Sequence, residues 1–562
     1  MSVPASRLPL AGVLRLGRPS DIWFKPALSV VAAVAPPNLI LLALGRLDLA
    51  VYTMAGSLCA LYAHNRPYAA RARVLALVVL GMTGGLAVAL LAAGLTADPV
   101  VLVTVGALLA AAQKALCDAT RLGPPANVVL TFVSSAALFT PQTLDRIPGH
   151  LGLALAAGGW AWLIGMAPGL VRPHGPERRA TAHALRTAAA YVTARRTATR
   201  GPVPPGPVES RALATAAAAV HAAWQTLLAA RTPERRKDTH RALERLLIRA
   251  ETALAAPADT DPEPLRTWAH ALRGTGPVPR PDDLLDDDEL LGIDAGTATP
   301  PPPWRHRLGP LAPIAARTAL GCALAGYASL ALGVGRPYWA LVTAASLYQA
   351  NLTLTWNRAV QRVVGNLVGV LAFAALVPLA HLHQAALVLV CLALHFGAEA
   401  LIGRNYWLGG VCVTPMALLI TEFAHYQDAG PLITERLVDT LVGAAVGFVA
   451  AVAVTDRRCG DRLERALTTV SEAREHAARL VAQPQRAPAA ALESARRSLA
   501  AALVDLRATA DTASGEWWRR ALPEERVVAA ERSGHRTLAA TVRHQGLLLG
   551  RDATTEAEGV RR

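Results

Sequence analysis

The chain has 562 residues, 53% of them hydrophobic and only 17% charged, with a mean hydropathy of +0.32. A soluble globular protein does not carry that much apolar sequence with so little charge, so the composition selects a polytopic membrane protein. The net charge of +15 does not argue for a nucleic-acid partner, because the basic residues sit between apolar runs, where the positive-inside bias places them.

Arg7, Arg15, Arg18 and Lys25 precede the first apolar run in the manner of a signal peptide. The small-residue site Ala33-Val34-Ala35 runs into Pro36-Pro37, a poor cleavage context, so this reads as an uncleaved first span. A hydrocarbon core about 30 Å thick takes roughly 17–25 apolar residues per helix. That length predicts spans near 27–45, 48–64, 74–95, 99–116, 126–141 and 151–171, then near 311–333, 338–354, 363–380, 384–402, 407–424 and 437–455. The expected organisation is an amino-terminal segment (1–26), a first membrane block (27–171), a helical region (172–310), a second membrane block (311–455) and a helical tail (456–562).

Within the first helical region, stretches at 177–200, 209–232 and 234–256 read as amphipathic helices, broken by the Gly201–Pro207 run. An acidic, proline-rich linker follows, with Asp282-Asp283, Asp286 to Glu289 and Pro300 to Pro303. It lacks the twelve-residue spacing and turn glycine of a calcium loop. The six cysteines are scattered singly, which supports neither a disulfide framework nor a zinc site. No cofactor or metal is expected. There is no Walker lysine loop to imply ATP drive, and no nucleophile–base arrangement to suggest an enzyme.

Orientation follows from charge. With the amino terminus inside, one side carries Arg7, Arg15, Arg18, Lys25, Arg66, Arg71, Arg73, Lys114, Arg121, Arg358, Arg362 and Arg404, and the other only Arg46, Arg146, Arg336 and Arg436. That bias predicts both termini and both helical regions in the cytoplasm. An internal repeat runs in the same order: Gly45-Arg46, Asn65-Arg66, Gly81…Gly85 and Asp145-Arg146 parallel Gly335-Arg336, Asn357-Arg358, Gly365…Gly369 and Glu435-Arg436. The expected fold is therefore all-α, with two parallel six-helix transmembrane repeats, each followed by a helical cytoplasmic region.

The candidate site lies in the second block. Arginine suits a carboxylate anchor because its fork binds bidentately and stays charged. Arg362 is one turn from Asn366, and Arg358 is its neighbour at the mouth. Both arginines also fit positive-inside residues snorkelling to headgroups. Tyr338 and Trp339 offer a stacking surface, or an aromatic belt. His395 and Glu399 share a helix face inside a span, where ionisable residues are costly, and are the candidates for proton coupling; Glu399 could instead pair with Arg362 or Arg404. Glu422 and Asp439 stand near the outer ends of their spans. Gly365/Gly369 and Gly443/Gly447 form GxxxG steps expected to pack helices.

The string RPYWALVTAASLYQANLTLTWNRAVQRVVGNLVGVLAFAAL, from Arg336 to Leu376, resembles the core signature of the fusaric acid resistance protein family, the aromatic acid exporters. In that family a Tyr-Trp-Ala start leads to an Arg-x-x-Gly-Thr-x-x-Gly step. Here the pieces are Tyr338-Trp339-Ala340, Arg358, Arg362, Gly365 and Gly369, with Asn366 where threonine is usual. Asn405-Tyr406, Thr414-Pro415 and the Glu435-Arg436…Asp439-Thr440…Gly443 run are also similar. The likeness is specific over 311–455 and diffuse over 27–171, where Leu49 stands in Trp339's place. The resemblance implies a duplicated unit of six helices and a cytoplasmic domain that exports aromatic or other weak organic acids across the inner membrane. In a diderm source it also implies a periplasmic adaptor.

The expectation is a proton-gradient-driven exporter, with a passive organic-anion channel and a membrane-anchored scaffold as alternatives. Its partners would be a small organic anion and membrane lipids, with homo-oligomerisation open and no nucleic acid. The weaker signature of the first block suggests that the second dominates.

Overall fold

Lipid offers no hydrogen-bond partners, so an apolar segment must satisfy its own backbone, and a helix does this within one run of residues. The computed structural model describes residues 10, 12–17, 22–198, 207–230, 237–280, 305–454, 459–483, 489–516 and 523–545, and among them every regular element is helical. The acidic, proline-rich linker lies outside the described residues.

The first block contains α1 (Phe24–Ala43), α2 (Ala50–Ser57, with a 3-10 turn at each end), α3 (Tyr68–Leu95), α4 (Pro99–Ala119), α5 (Asn127–Leu138) and α6 (Ile147–Met166). After the short α7 (Pro168–Val171) come α8 (Gly175–Ala198), α9 (Pro207–Ala229), α10 (Lys237–Ala255) and α11 (Pro262–Arg273). The second block contains α12 (Arg305–Ala331), α13 (Tyr338–Leu347), α14 (Leu352–Ala380), α15 (Gln384–Ile402), α16 (Tyr406–Thr421) and α17 (Ala429–Ala453). The tail contains α18 (Cys459–Ala482), α19 (Ala489–Ser514) and α20 (Glu524–His544).

Nine helices among the described residues are long and apolar enough to cross a membrane. One of them, Val208–Ala229, packs among α8, α10 and α19, which are rich in charge. The others fall in the two blocks. The twelve full spans expected from the sequence are not all present: Leu47–Leu61, Asn127–Leu138, Tyr338–Leu347 and Tyr406–Thr421 are short apolar helices. At 1.5 Å per residue they reach roughly 15–24 Å, less than a hydrocarbon core. Both blocks thus read long, short, long, long, short, long.

Two boundaries also move. The charges at Arg358, Arg362 and Arg436 suggested spans starting near 363 and 437, yet the helices begin at Leu352 and Ala429. Asn351 caps the first of these, its side chain accepting from the Leu354 N–H at 2.8 Å. Charged residues therefore lie inside helices, where protein and not lipid surrounds them. Lipid contact falls elsewhere, on leucines such as Leu77, Leu80, Leu371 and Leu389, each at least 60% exposed.

Pro36 inside α1 removes an N–H and leaves the Ala32 carbonyl without its helical donor, and the Trp160 indole of α6 donates to that oxygen at 3.0 Å. Between blocks, α1 packs on α15 and α4 on α12, so the first helix of each block meets the fourth of the other, while α5 packs on α13. Residues 13–15 cross the ends of α14 and α16, their carbonyls accepting from Gln361, Asn405 and Trp407 side chains.

The charge-rich helices join through a buried ion cluster. Arg496 and Arg497 of α19 meet Glu493, at 2.5 and 2.8 Å, and Glu251 of α10. Arg497 also lies over the Trp224 ring, 3.6 Å from its centroid. Burial works against the Glu493 carboxylate, but Arg496 and Arg497 outweigh it and hold its pKa below the usual carboxylate range. A buried pair that loses one partner leaves an uncompensated charge.

Two outcomes test these contacts. Arg496→Met destabilises the protein by about 3–5 kcal/mol. A Cβ at Gly443 would stand 2.5 Å from the Ala340 carbonyl oxygen, whereas Gly159 faces open space. Gly443→Leu therefore costs about 1–3 kcal/mol, read as a lower unfolding temperature in detergent, and Gly159→Leu leaves that temperature unchanged.

Candidate functional site

The two blocks and the α8–α11 region share one cavity of about 1800 Å³. Twelve basic side chains line it: Lys25, Arg66, Lys114, Arg121, Arg172, Arg178, Arg179, Arg186, Arg273, Arg358, Arg362 and Arg436. Among the described residues the one acidic side chain on its wall is Glu399. Lys114 is paired with Asp118 at 2.9 Å, and the remaining excess gives the cavity a positive field that low-dielectric walls concentrate.

Three arginines of the second block stand at its membrane end. Arg358 and Arg362 project from α14 toward the start of α16, where one tyrosine receives both. The Arg358 guanidinium lies 3.8 Å from the centroid of the Tyr406 ring, and Arg362 Nη1 donates to the Tyr406 oxygen at 3.1 Å. Arg436 of α17 is only 1% exposed, and its guanidinium lies 4.0 Å from the centre of the Trp339 ring. Arg436 Nε and Nη1 and Arg362 Nε are buried without hydrogen-bond partners. An aromatic face compensates a cation in part, by about 2 kcal/mol when desolvated. The buried Asp439 carboxylate, one turn along α17, acts on Arg436 without a direct ion pair, and the Arg362 and Arg436 guanidiniums both lie on the cavity wall.

Trp339 is wedged between blocks. Its ring sits 5.6 Å from that of Phe132 on α5, and Tyr338 stacks on Phe139 at 5.9 Å. The first block thus supplies an apolar wall, Phe132, beside the deepest cation. Of the residues proposed for anion contact, Trp339, Arg358 and Arg362 line the cavity and Tyr338 and Asn366 do not; of those proposed for proton coupling, both His395 and Glu399 line it. Asn366 ties three helices together, accepting from Thr414 Oγ1 at 2.5 Å and donating to Thr440 Oγ1 at 2.8 Å. Beside it, a Cβ at Gly365 or Gly369 would meet Trp407 or Thr414 at 2.7 Å, and one at Gly447 would meet Ala344 at 3.1 Å.

His395 Nδ1 bonds the Cys391 carbonyl at 2.8 Å, which leaves Nε2 buried and without a partner. Glu399, one turn further, forms no ion pair among the described residues, so the pairing with Arg362 or Arg404 is not made. Of the outer candidates, Asp439 accepts from Ser329 Oγ at 2.5 Å, and Glu422 meets His381 Nε2 at 2.8 Å. No group of three His, Cys, Asp or Glu residues that could hold a metal occurs among the described residues.

Sequence reasoning missed Arg436, which it placed on the outer surface. The available signal was spacing: residues 436, 440, 443 and 447 share one helix face. That face carries the packing glycines, so an arginine on it points inward.

Residues 323–450 match the family described as fusaric acid resistance protein-like. The second membrane block carries a fusaric acid resistance protein-like domain. A relative from Bacillus subtilis (strain 168), named as an uncharacterized membrane protein, YvaC, is 32% identical over 145 residues. That match covers 25% of this chain and 23% of the relative, so the chain spans about a quarter of that protein's length. No solved structure matches the chain significantly. With its apolar helices, the domain and this relative make the chain a multi-pass membrane protein.

Asn366→Val leaves two buried threonine hydroxyls without their partner and costs about 1–3 kcal/mol. It therefore lowers the unfolding temperature in detergent more than it weakens anion binding, which calorimetric unfolding and radioligand binding on the same sample compare directly.

Proposed function

We propose that the protein exports weak organic anions, aromatic acids foremost, across the inner (cell) membrane, with both termini and both charge-rich regions on the cytoplasmic side. The observation that carries this reading is the cavity: twelve basic side chains against one acid, ending at Arg436, a buried guanidinium that makes no direct ion pair among the described residues. Asp439, buried one turn away, offsets part of that charge, and a substrate carboxylate supplies the direct contact that the buried guanidinium lacks. Arg436 and Arg362 are the anchors, Arg358 the neighbour at the mouth, and Trp339 with Phe132 the surface for the ring. His395 and Glu399, both on the wall, couple export to the proton gradient.

The reading also takes the two blocks as parallel repeats. Their shared order of long and short helices and the reciprocal first-to-fourth helix contacts support this. The partners are the anion and membrane lipids, with a periplasmic adaptor where the source has an outer membrane. No enzymatic activity is proposed.

The test is efflux of radiolabelled aromatic acids from cells with and without the protein, repeated after the proton gradient is collapsed. Export stops on collapse, and Arg362→Gln and Arg436→Gln each lower it by about tenfold or more, the loss of roughly one charge-assisted bidentate contact. Export that follows voltage alone and survives His395→Ala and Glu399→Gln identifies a passive anion channel instead. No difference across the panel of acids overturns transport of this class.

A further inference from the structure

Nine of the twelve basic side chains on the cavity wall lie outside the three membrane anchors Arg358, Arg362 and Arg436. Arg66 and Arg121 sit in loops of the first block, Arg172 precedes α8, and Arg178 and Arg179 open it. Lipid headgroups explain basic residues at a membrane boundary, but not why these line the inside of a cavity shared with Arg362 and Arg436.

How these arginines are held is the second observation. Arg178 donates to the carbonyls of Leu272 and Gly276 at 3.2 and 2.8 Å, Arg179 to that of His64 at 3.4 Å, and Arg66 to that of Arg121 at 3.0 Å. A carbonyl orients a guanidinium but, unlike a carboxylate, does not cancel its charge; Arg179 also feels the buried Glu177 carboxylate, which offsets part of its own. Arg66, Arg178 and Arg179 are also half-buried, so water screens them less than it would on an open face. Like charges gathered around one space repel, and an anion inside that space relieves the repulsion.

We propose that the α8–α11 region and the adjoining loops form an electrostatic vestibule of the transport path, which favours anions by their number of charges. The inference rests on the anion-transport reading and extends it: of two substrates of one size, the dicarboxylate enters faster than the monocarboxylate. Capture in such a field raises association rates and depends on ionic strength.

The test uses the full chain in phosphatidylcholine liposomes, with initial uptake rates of radiolabelled benzoate and phthalate. Arg172 is exposed on the cavity wall and its side chain holds no other element in place. Arg172→Glu lowers kcat/KM about threefold for benzoate and about tenfold for phthalate, with kcat unchanged. Both losses fade in about 1 M salt, where the screening length falls to about 3 Å. Arg172→Lys keeps wild-type rates. Equal losses for the two probes, losses that persist in high salt, or no loss at all overturn the vestibule. A loss that appears only when anionic lipid is added also overturns it, and assigns the arginines to headgroups. Wild-type protein that moves neither probe overturns the transport reading, and the vestibule falls with it.

Discussion

The structure turns on a cation that the fold buries without a direct ion pair, with the Asp439 carboxylate one turn away acting on it through space. Arg436 sits inside the second block with Trp339 as its visible neighbour, and an aromatic face offsets only part of what a desolvated guanidinium loses. Everything around it follows from keeping it there. Glycines at 443 and 447 let α17 approach α13 closely enough to place Trp339 beside it. Asn366 then ties α14 to α16 and α17, which fixes Arg362 on the same cavity.

Helix content and the two membrane blocks were legible because apolar runs of this length have few other solutions. The second-block site was partly legible: helical spacing put Arg362 on one face with Asn366 and, on another helix, His395 on one face with Glu399, but it did not bring the two helices together, and Asn366 lies off the cavity. What failed was the treatment of charge as a boundary. Ending a span at each arginine assumes that its neighbours are lipid. Arg436 and Arg362 are surrounded by other helices, and their helices run on through them. The short helices were hidden for a related reason. Tyr338–Leu347 is as apolar as a span, and only the turn of Tyr348 to extended backbone, followed by the Asn351 cap of the next helix, shows that it stops part-way.

The two blocks share an order of elements but not a chemistry. In the first, Leu49 stands where the second has Trp339, and Arg146, the counterpart of Arg436, is exposed. The first block contributes Phe132, packing surface and basic side chains such as Arg66 and Arg121 to the cavity, while Arg358, Arg362 and Arg436 come from the second.

The buried cluster of Glu251, Glu493, Arg496 and Arg497 has a consequence for synthesis. Arg496 lies 245 residues after the Glu251 that it binds. When α10 leaves the ribosome, its glutamate and the Trp224 face beside it have no cation to meet, and the whole second membrane block is made before one arrives. The earlier helical region must wait as an incomplete surface while six more membrane elements are inserted, a situation in which chains are prone to wrong contacts. Assembly of this protein is therefore closed late, and the helical tail acts as the lock on the helical region between the two membrane blocks.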